Sequence, residues 1–225
     1  MASTENDALA STERSVVCGG RNSSRGRLFG LVLLYSGDLP EIGGLRRYAP
    51  NQVTRVSDPC LGESAAVPYD AIGENLRAAL TSAEANERSG QVILRMQISR
   101  TLFCAPSKSF ARELKEWRVA EQLRWRFSRN DLLTIYSNRA AFGQNLIGVK
   151  SASQYFFKKE PTQLDVAEAA LLAGLLKAPF YYSPYRHPDR AIERRNKVID
   201  TMVEDHAISA EEGAAAKAVG VPVAP

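Results

Sequence analysis

From Tyr69 almost to the end of the chain, apolar residues recur at spacings of three and four, the period of amphipathic helices. Over 70–87 the stripe is Ile72, Leu76, Ala79, Leu80 and Ala83, with Glu84 near the C-terminal end. Over 109–128 it is Phe110, Leu114, Trp117, Ala120, Leu123 and Phe127, and Arg112, Lys115, Arg118, Arg124 and Arg126 occupy the other faces. Between these segments, Ser89-Gly90 reads as a tight turn leading into an alternating run. A third helix follows Ser128, which makes a cap-like pair with Asp131, and it carries Leu132, Leu133, Ile135 and Tyr136. Gly143 and Gly148 break the pattern before a short helix through Gln154. Thr162 with Asp165 starts the next helix, whose run over 166–176 is apolar on nearly every face and so is expected at the centre of the core. Pro179 stops it. Asp189 opens the last long helix, with Ile192, Val198, Ile199, Met202 and Val203 inward, and Ser209 with Glu212 caps a final weak helix.

Upstream the pattern changes. Over 38–68 glycine and proline interrupt short β-prone pieces, and 52–56 reads as a strand or an extended arm. The first 36 residues are rich in Ser, Thr and Asn and carry Arg21, Arg25 and Arg27, a composition expected to be disordered. Within them an apolar run at 28–35 is too short to span a bilayer, which needs about 20 residues. Its basic flank resembles that of a secretion signal or membrane anchor, and a buried or interfacial segment fits it equally. The expected organisation is a disordered 1–36, a domain over 37–205, and a weak helix and tail over 206–225. The fold class is mainly α with a short β or extended N-terminal arm.

Composition changes this picture little. The chain has 225 residues, 44% hydrophobic and 24% charged, which is enough to bury a core. A formal net charge of +4 points to an anionic partner: nucleic acid, lipid headgroups or pyrophosphate. No nucleic-acid motif is present, and nucleic acid is not expected as a partner. Cys18, Cys60 and Cys104 are odd in number and widely spaced, so neither a disulfide framework nor a zinc site is expected. His187 and His206 are read as surface residues.

With no metal cluster, no Ser-His pair and no phosphate loop, carboxylates remain as the candidate catalysts. Glu84 ends one helix and Glu116 lies on the polar side of another. Paired carboxylates facing a cleft serve glycosyl chemistry, one handling a proton at a sugar oxygen and the other assisting the leaving group. Arg112 and Glu116, four apart, form either a helix-supporting ion pair or the border of a phosphate site. Arg194 and Arg195 could extend that border.

Several ordered blocks carry a family resemblance. Arg112-Glu113-Leu114-Lys115-Glu116 is similar to an Arg-Lys-x-x-Glu motif. Asp131 through Asn138, then Phe142-Gly143, resembles an Ile-Leu-x-x-Tyr-Leu-Asn block with its trailing aromatic and glycine. Gly148-Val149, Gln154-Tyr155-Phe156, Leu164 through Pro179, Ser183-Pro184-Tyr185 and Arg194-Arg195-x-x-Val198-Ile199-x-x-Met202 continue it in order. These blocks resemble the family 51 peptidoglycan glycosyltransferase domain of class A penicillin-binding proteins and monofunctional transglycosylases.

The resemblance implies a lysozyme-like helical fold and lipid II as substrate. It makes Glu84 the general base and Glu116 the group assisting departure of the lipid-linked pyrophosphate. Gln97, Arg100, Arg112, Lys115, Asn138, Arg194 and Arg195 are then substrate-binding. It further implies lipid II and glycan strands as partners, with a membrane surface nearby. A divalent cation, Mg or Mn, is the one cofactor it suggests, with no metal ligands assigned. The location would be the bacterial cell envelope, at the periplasmic or outer face of the inner membrane.

The chain also departs from the family. Ala85 stands where the family has aspartate, and the connection between Glu87 and Ser89 is shorter by far more than the few residues usual for a loop. The Gly-Gly-Ser-Thr-x-Thr-Gln-Gln motif is reduced to 90–97 without its hydroxyls, and Glu113 replaces a lysine. Two readings follow: a transferase that polymerises lipid II, or a catalytically impaired relative that binds glycan, lipid II or a cell-wall synthesis partner.

Overall fold

The computed structural model describes residues 39–58, 60–85, 90–103 and 109–220. The expectations for 1–36, including the run at 28–35, and for the turn at Ser89 lie outside the described residues. A 3-10 turn, Gly43–Tyr48, leads into a hairpin of β1 (Thr54–Asp58) and β2 (Gly62–Ala66), paired antiparallel from Thr54 opposite Ala66 to Asp58 opposite Gly62. The hairpin loop is tied by the Asp58 side chain, which accepts from the backbone N–H of Cys60 at 2.8 Å and of Leu61 at 3.1 Å. The expected arm at 52–56 is therefore the first half of a hairpin. Its second half was hidden because Gly-Glu-Ser-Ala-Ala has no β-branched residue to signal a strand.

Eight α-helices follow among the described residues: α1 (Glu74–Ala85), α2 (Gly90–Leu102), α3 (Phe110–Arg126), α4 (Arg129–Arg139), α5 (Val149–Phe157), α6 (Val166–Leu175), α7 (Pro188–Glu204) and α8 (Ala210–Ala218). The mainly α expectation holds. So does the central helix: every residue of α6 from Ala167 to Leu175 is buried, and α6 packs against α1 and α7. Burying one leucine side chain stabilises by roughly 2 kcal/mol, so Leu171, Leu172 and Leu175 make α6 the main hydrophobic anchor.

Two glycines are dictated by close approach. Gly73 has φ of 84°, and a Cβ there would sit 2.6 Å from the carbonyl oxygen of Pro161. Gly148 has φ of 81°, and its Cβ would lie 3.0 Å from the carbonyl oxygen of Asn138. The first fixes where α1 begins. The second fixes the entry to α5.

Several expectations are corrected. The run from Gly90 is helical, so Gly90 opens α2 rather than a strand-like alternation. Helix α3 buries Glu116, Val119, Ala120 and Leu123, while Phe110 is 71% and Trp117 51% exposed. Ala120, Leu123 and Phe127 of the expected stripe are buried, and Phe110 and Trp117 face outward, because aromatic residues signal apolarity without saying which face is the core. The cap of α6 is Asp165, accepting from the backbone N–H of Glu168, instead of a pair with Thr162, which lies in a preceding 3-10 turn, Pro161–Gln163. The capping boxes Ser128/Asp131 and Ser209/Glu212 form as the sequence indicates. The final helix forms as α8 and packs on α6 and α7, and the expected tail at 221–225 lies outside the described residues. Finally, Cys60 is disulfide-bonded, where no disulfide framework was expected; Cys18 and Cys104 lie outside the described residues.

Candidate active site

Glu84 lies in the last turn of α1. The Tyr136 hydroxyl, on α4, donates to its Oε1 at 2.9 Å. Tyr136 is buried, and its hydroxyl is pushed well above the usual phenol range, first by burial and then by the Glu84 charge and hydrogen bond. It therefore remains protonated and a donor at neutral pH, orienting the carboxylate.

A groove of about 700 Å3 lies beside this pair, lined by Tyr69, Glu74, Arg77, Thr81, Arg129 and Leu133 among others. Thr81 precedes Glu84 by three residues on α1, and Leu133 precedes Tyr136 by three on α4. Residues three apart are neighbours on a helix surface, so the Glu84–Tyr136 pair stands about one turn beyond the groove wall on both helices.

Glu116 sits in a second cluster. Its side chain is 8% exposed and lies between two guanidinium groups: Arg112 Nε donates to Oε1 at 2.8 Å, and Arg100 Nε is 3.5 Å from Oε2. Arg112 also reaches the Phe103 carbonyl at 3.4 Å and covers the Phe103 ring. Its backbone is fixed by Ser109, whose hydroxyl accepts from the Arg112 N–H at the N-cap of α3. Arg100, 56% exposed, is the more open of the two guanidinium groups. Lys115 is half-buried beside Glu116 on α3, and Gln97 half-buried on α2.

The other residues expected to bind substrate are placed differently. Asn138 is fully buried; its amide N–H groups donate to the carbonyls of Tyr48 and Val67 at 2.8 Å each, and its Oδ1 accepts from the Val67 N–H at 2.9 Å. That amide ties α4 to the strand end and to the first 3-10 turn, with no donor left for a ligand. Arg195 is 1% exposed and donates to the carbonyls of Lys217, Val219 and Gly220, clamping the end of α8. Burial draws its guanidinium below the usual arginine range. Arg194 is half-buried and packs its chain against Gly174. The structure thus brings Arg100, Arg112 and Glu116 together, sets Glu84 with Tyr136, and assigns Asn138 and Arg195 to scaffolding.

Sequence reading missed a further cluster. Arg139 is buried, with Nε donating to Thr101 Oγ1 at 3.0 Å, one terminal nitrogen to the Thr101 carbonyl at 2.9 Å, and the other paired with Asp58 at 2.5 Å. Tyr48 donates to the same carboxylate at 2.6 Å. Burial alone would raise the Asp58 carboxyl; hydrogen bonds from Tyr48, the Cys60 backbone and Arg139 outweigh it and hold the group at about 2. Only the adjacency of Arg139 to Asn138 hinted at this. Pairing across 81 residues leaves no local periodicity to read.

Among the described residues no group of three His, Cys, Asp or Glu side chains is arranged to hold a metal ion. Glu116 is already neutralised by two guanidinium groups, a donor set that repels a divalent cation. The described residues at this cluster do not fit a protein-held Mg or Mn.

The family model described as Transglycosylase matches residues 44–203. Penicillin-binding protein 1F of Bacillus subtilis is 38% identical over 128 residues, covering 57% of this chain and 18% of that protein. Penicillin-binding protein 1A of Aquifex aeolicus is 29% identical over 194 residues, covering 84% of this chain and 26% of that protein. The crystal structure of penicillin-binding protein 1A from Haemophilus influenzae is 36% identical, covers 45% of this chain and 16% of that one, and superposes with a TM-score of 0.41. The chain spans about a quarter or less of the length of these relatives.

Proposed function

The chain belongs to the transglycosylase family, and on that premise we propose that it is a peptidoglycan glycosyltransferase that lengthens glycan chains from lipid II. The observation that carries the reading is the contrast between its two carboxylates. Glu84 accepts from the Tyr136 hydroxyl about one turn from a groove wall, and Glu116 lies between two arginines. Carboxylates in such different surroundings take different roles in one reaction.

In this reading Glu84 accepts the proton of the acceptor sugar hydroxyl as that oxygen bonds to the anomeric carbon of the donor. The bond from that carbon to the lipid-linked diphosphate breaks, and the electron pair leaves on the diphosphate. Arg100 and Arg112 balance its charge, while Glu116 holds the two guanidinium groups in place. Lys115 on α3 and Gln97 on α2 are the further substrate contacts of this reading.

The setting is the cell envelope, at a membrane surface that presents lipid-linked donors. Phe110, Trp117 and Trp125 are exposed on α3 among Arg118, Arg124 and Arg126, the mixture of aromatic and basic side chains suited to a lipid interface. Among the described residues no helix is long and apolar enough to cross a membrane.

A second reading is binding of lipid II or glycan without turnover. The departures at Ala85 and Glu113 favour it, since Glu113 is exposed in the first turn of α3 beside Arg112 and sets negative charge where the donor diphosphate would lie. Polymerisation of labelled lipid II separates the two.

A further inference from the structure

The groove between α1, α4 and the end of α7 has a charge balance unlike that of the whole chain. Its described lining includes two arginines, Arg77 and Arg129, and two carboxylates, Glu74 and Asp205. A smaller cavity of about 210 Å3 shares Tyr69 and Asn130 with it and adds Asp70 and Asp131. The chain carries a formal net charge of +4, yet the described walls of these adjoining cavities hold more carboxylates than guanidinium groups. A diphosphate or other anion gains no net attraction there, in contrast to the arginines around Glu116.

The groove wall is held in place by its own contacts. Arg77 donates to the Tyr69 carbonyl at 3.1 Å and its guanidinium lies 4.6 Å from the Tyr69 ring centroid, so the ring and the planar cation fix each other. Thr81 spends its hydroxyl hydrogen on the Arg77 carbonyl at 2.8 Å and keeps its oxygen as an acceptor. Glu74, Arg129, Asn130 and Asp205 are exposed, and Asn130 supplies both an amide donor and an acceptor. One aromatic ring and several polar groups of both kinds thus surround about 700 Å3, a volume within the range of small-molecule sites.

The groove also has a direction. Arg77 and Glu84 are seven residues apart on α1, and Arg129 and Tyr136 seven apart on α4. Seven residues make two turns, so each pair shares one helix face at a separation of roughly 10.5 Å along the axis. The groove therefore follows the faces of α1 and α4 that meet in the Glu84–Tyr136 hydrogen bond.

We propose that this groove is a saccharide-binding subsite, which holds neutral amino-sugar units of a glycan chain on the approach to Glu84. Sugar hydroxyls donate to Glu74 and Asp205 and accept from Arg129 and Asn130, and the apolar face of a sugar ring meets Tyr69. A neutral chain of hydroxyl and amide groups uses donors and acceptors of both kinds and needs no net charge from the wall. The inference rests on the transferase reading for what happens at Glu84, while the make-up of the groove stands apart from that reading.

The test uses the full chain, its Glu74→Gln and Asn130→Ala variants, and the neutral β-1,4-linked tetramer of N-acetylglucosamine as probe, with binding followed by titration calorimetry. Both residues are exposed, so the variants keep the fold, which thermal unfolding checks. The wild type binds the tetramer, and each variant binds it about fivefold or more weakly, as for a lost hydrogen bond. Absence of tetramer binding by the wild type overturns the proposal, as does an unchanged affinity in both variants. Competition between inorganic diphosphate and the tetramer also overturns it, because the groove is then an anion site. A trilysine peptide that binds through Glu74 where the tetramer does not assigns the groove to a cationic peptide and overturns the saccharide assignment. Polymer from lipid II in a chain that does not bind the tetramer refutes the subsite and leaves the transferase reading standing. Tetramer binding through Asn130 in a chain that makes no polymer does the reverse.

Discussion

Tyr136 donates its hydroxyl hydrogen to Glu84 across 2.9 Å, joining α4 to the last turn of α1 over 52 residues of sequence. Tyr136→Phe removes the hydrogen bond that orients the carboxylate. The expected loss of rate at neutral pH is about tenfold, with a smaller change in the affinity for lipid II. Steady-state rates measured over a range of lipid II concentrations check this.

Glu116 depends on its arginines. Replacing Arg112 by Met leaves a buried carboxylate with the more exposed Arg100 as its charged partner. Removing one partner of a pair with a buried charge leaves that charge uncompensated, and a loss of about 2 kcal/mol is expected in urea unfolding. Glu116→Gln is expected to be milder in stability, since no buried anion remains.

Asn138 separates scaffold from site. Its three hydrogen bonds all go to backbone groups of Tyr48 and Val67, so Asn138→Ala leaves buried donors and acceptors unmet and lowers stability by about 3 kcal/mol. The affinity of the folded fraction for lipid II is expected to stay within a factor of about two of the wild type. A binding isotherm alongside urea unfolding distinguishes this from a substrate-binding role.

The Asp58–Arg139 pair sets an acid limit on stability. The folded carboxyl lies at about 2, below its ordinary value of 3.8, so the stabilisation is fully present above about pH 4 and is lost as pH falls toward 2. Asp58→Asn is expected to lower stability at pH 7 by about 3 kcal/mol, because Arg139 is left buried without its anion. Its unfolding free energy then changes less between pH 4 and 2 than that of the wild type.

These outcomes divide along what the sequence makes readable. Periodicity identified α1 and α7, whose buried residues recur at the helical spacing, the unbroken apolar run over 166–176 identified α6, and Ser128 and Ser209 announced the caps of α4 and α8. It placed Phe110 and Trp117 inward, where the packing of α2 on α3 selects Glu116 and Val119 instead. Arg100, Arg112 and Glu116 were legible as a unit because two of them lie four apart on one helix. Asn138 and Arg195 were not legible as scaffold, since their partners, Val67 and Val219, lie 71 and 24 residues away.

In the proposed reaction Glu84 removes the acceptor proton in a glycosyl transfer from lipid II. The most direct measurement is polymer formation from labelled lipid II by the full chain and by Glu84→Gln, with folding of both checked by thermal unfolding. The account predicts polymer from the wild type and a loss of at least about a hundredfold in Glu84→Gln, the lower range for a positioned general base. Polymer formed equally well by both proteins, or none from the wild type under conditions where an active relative works, would contradict it.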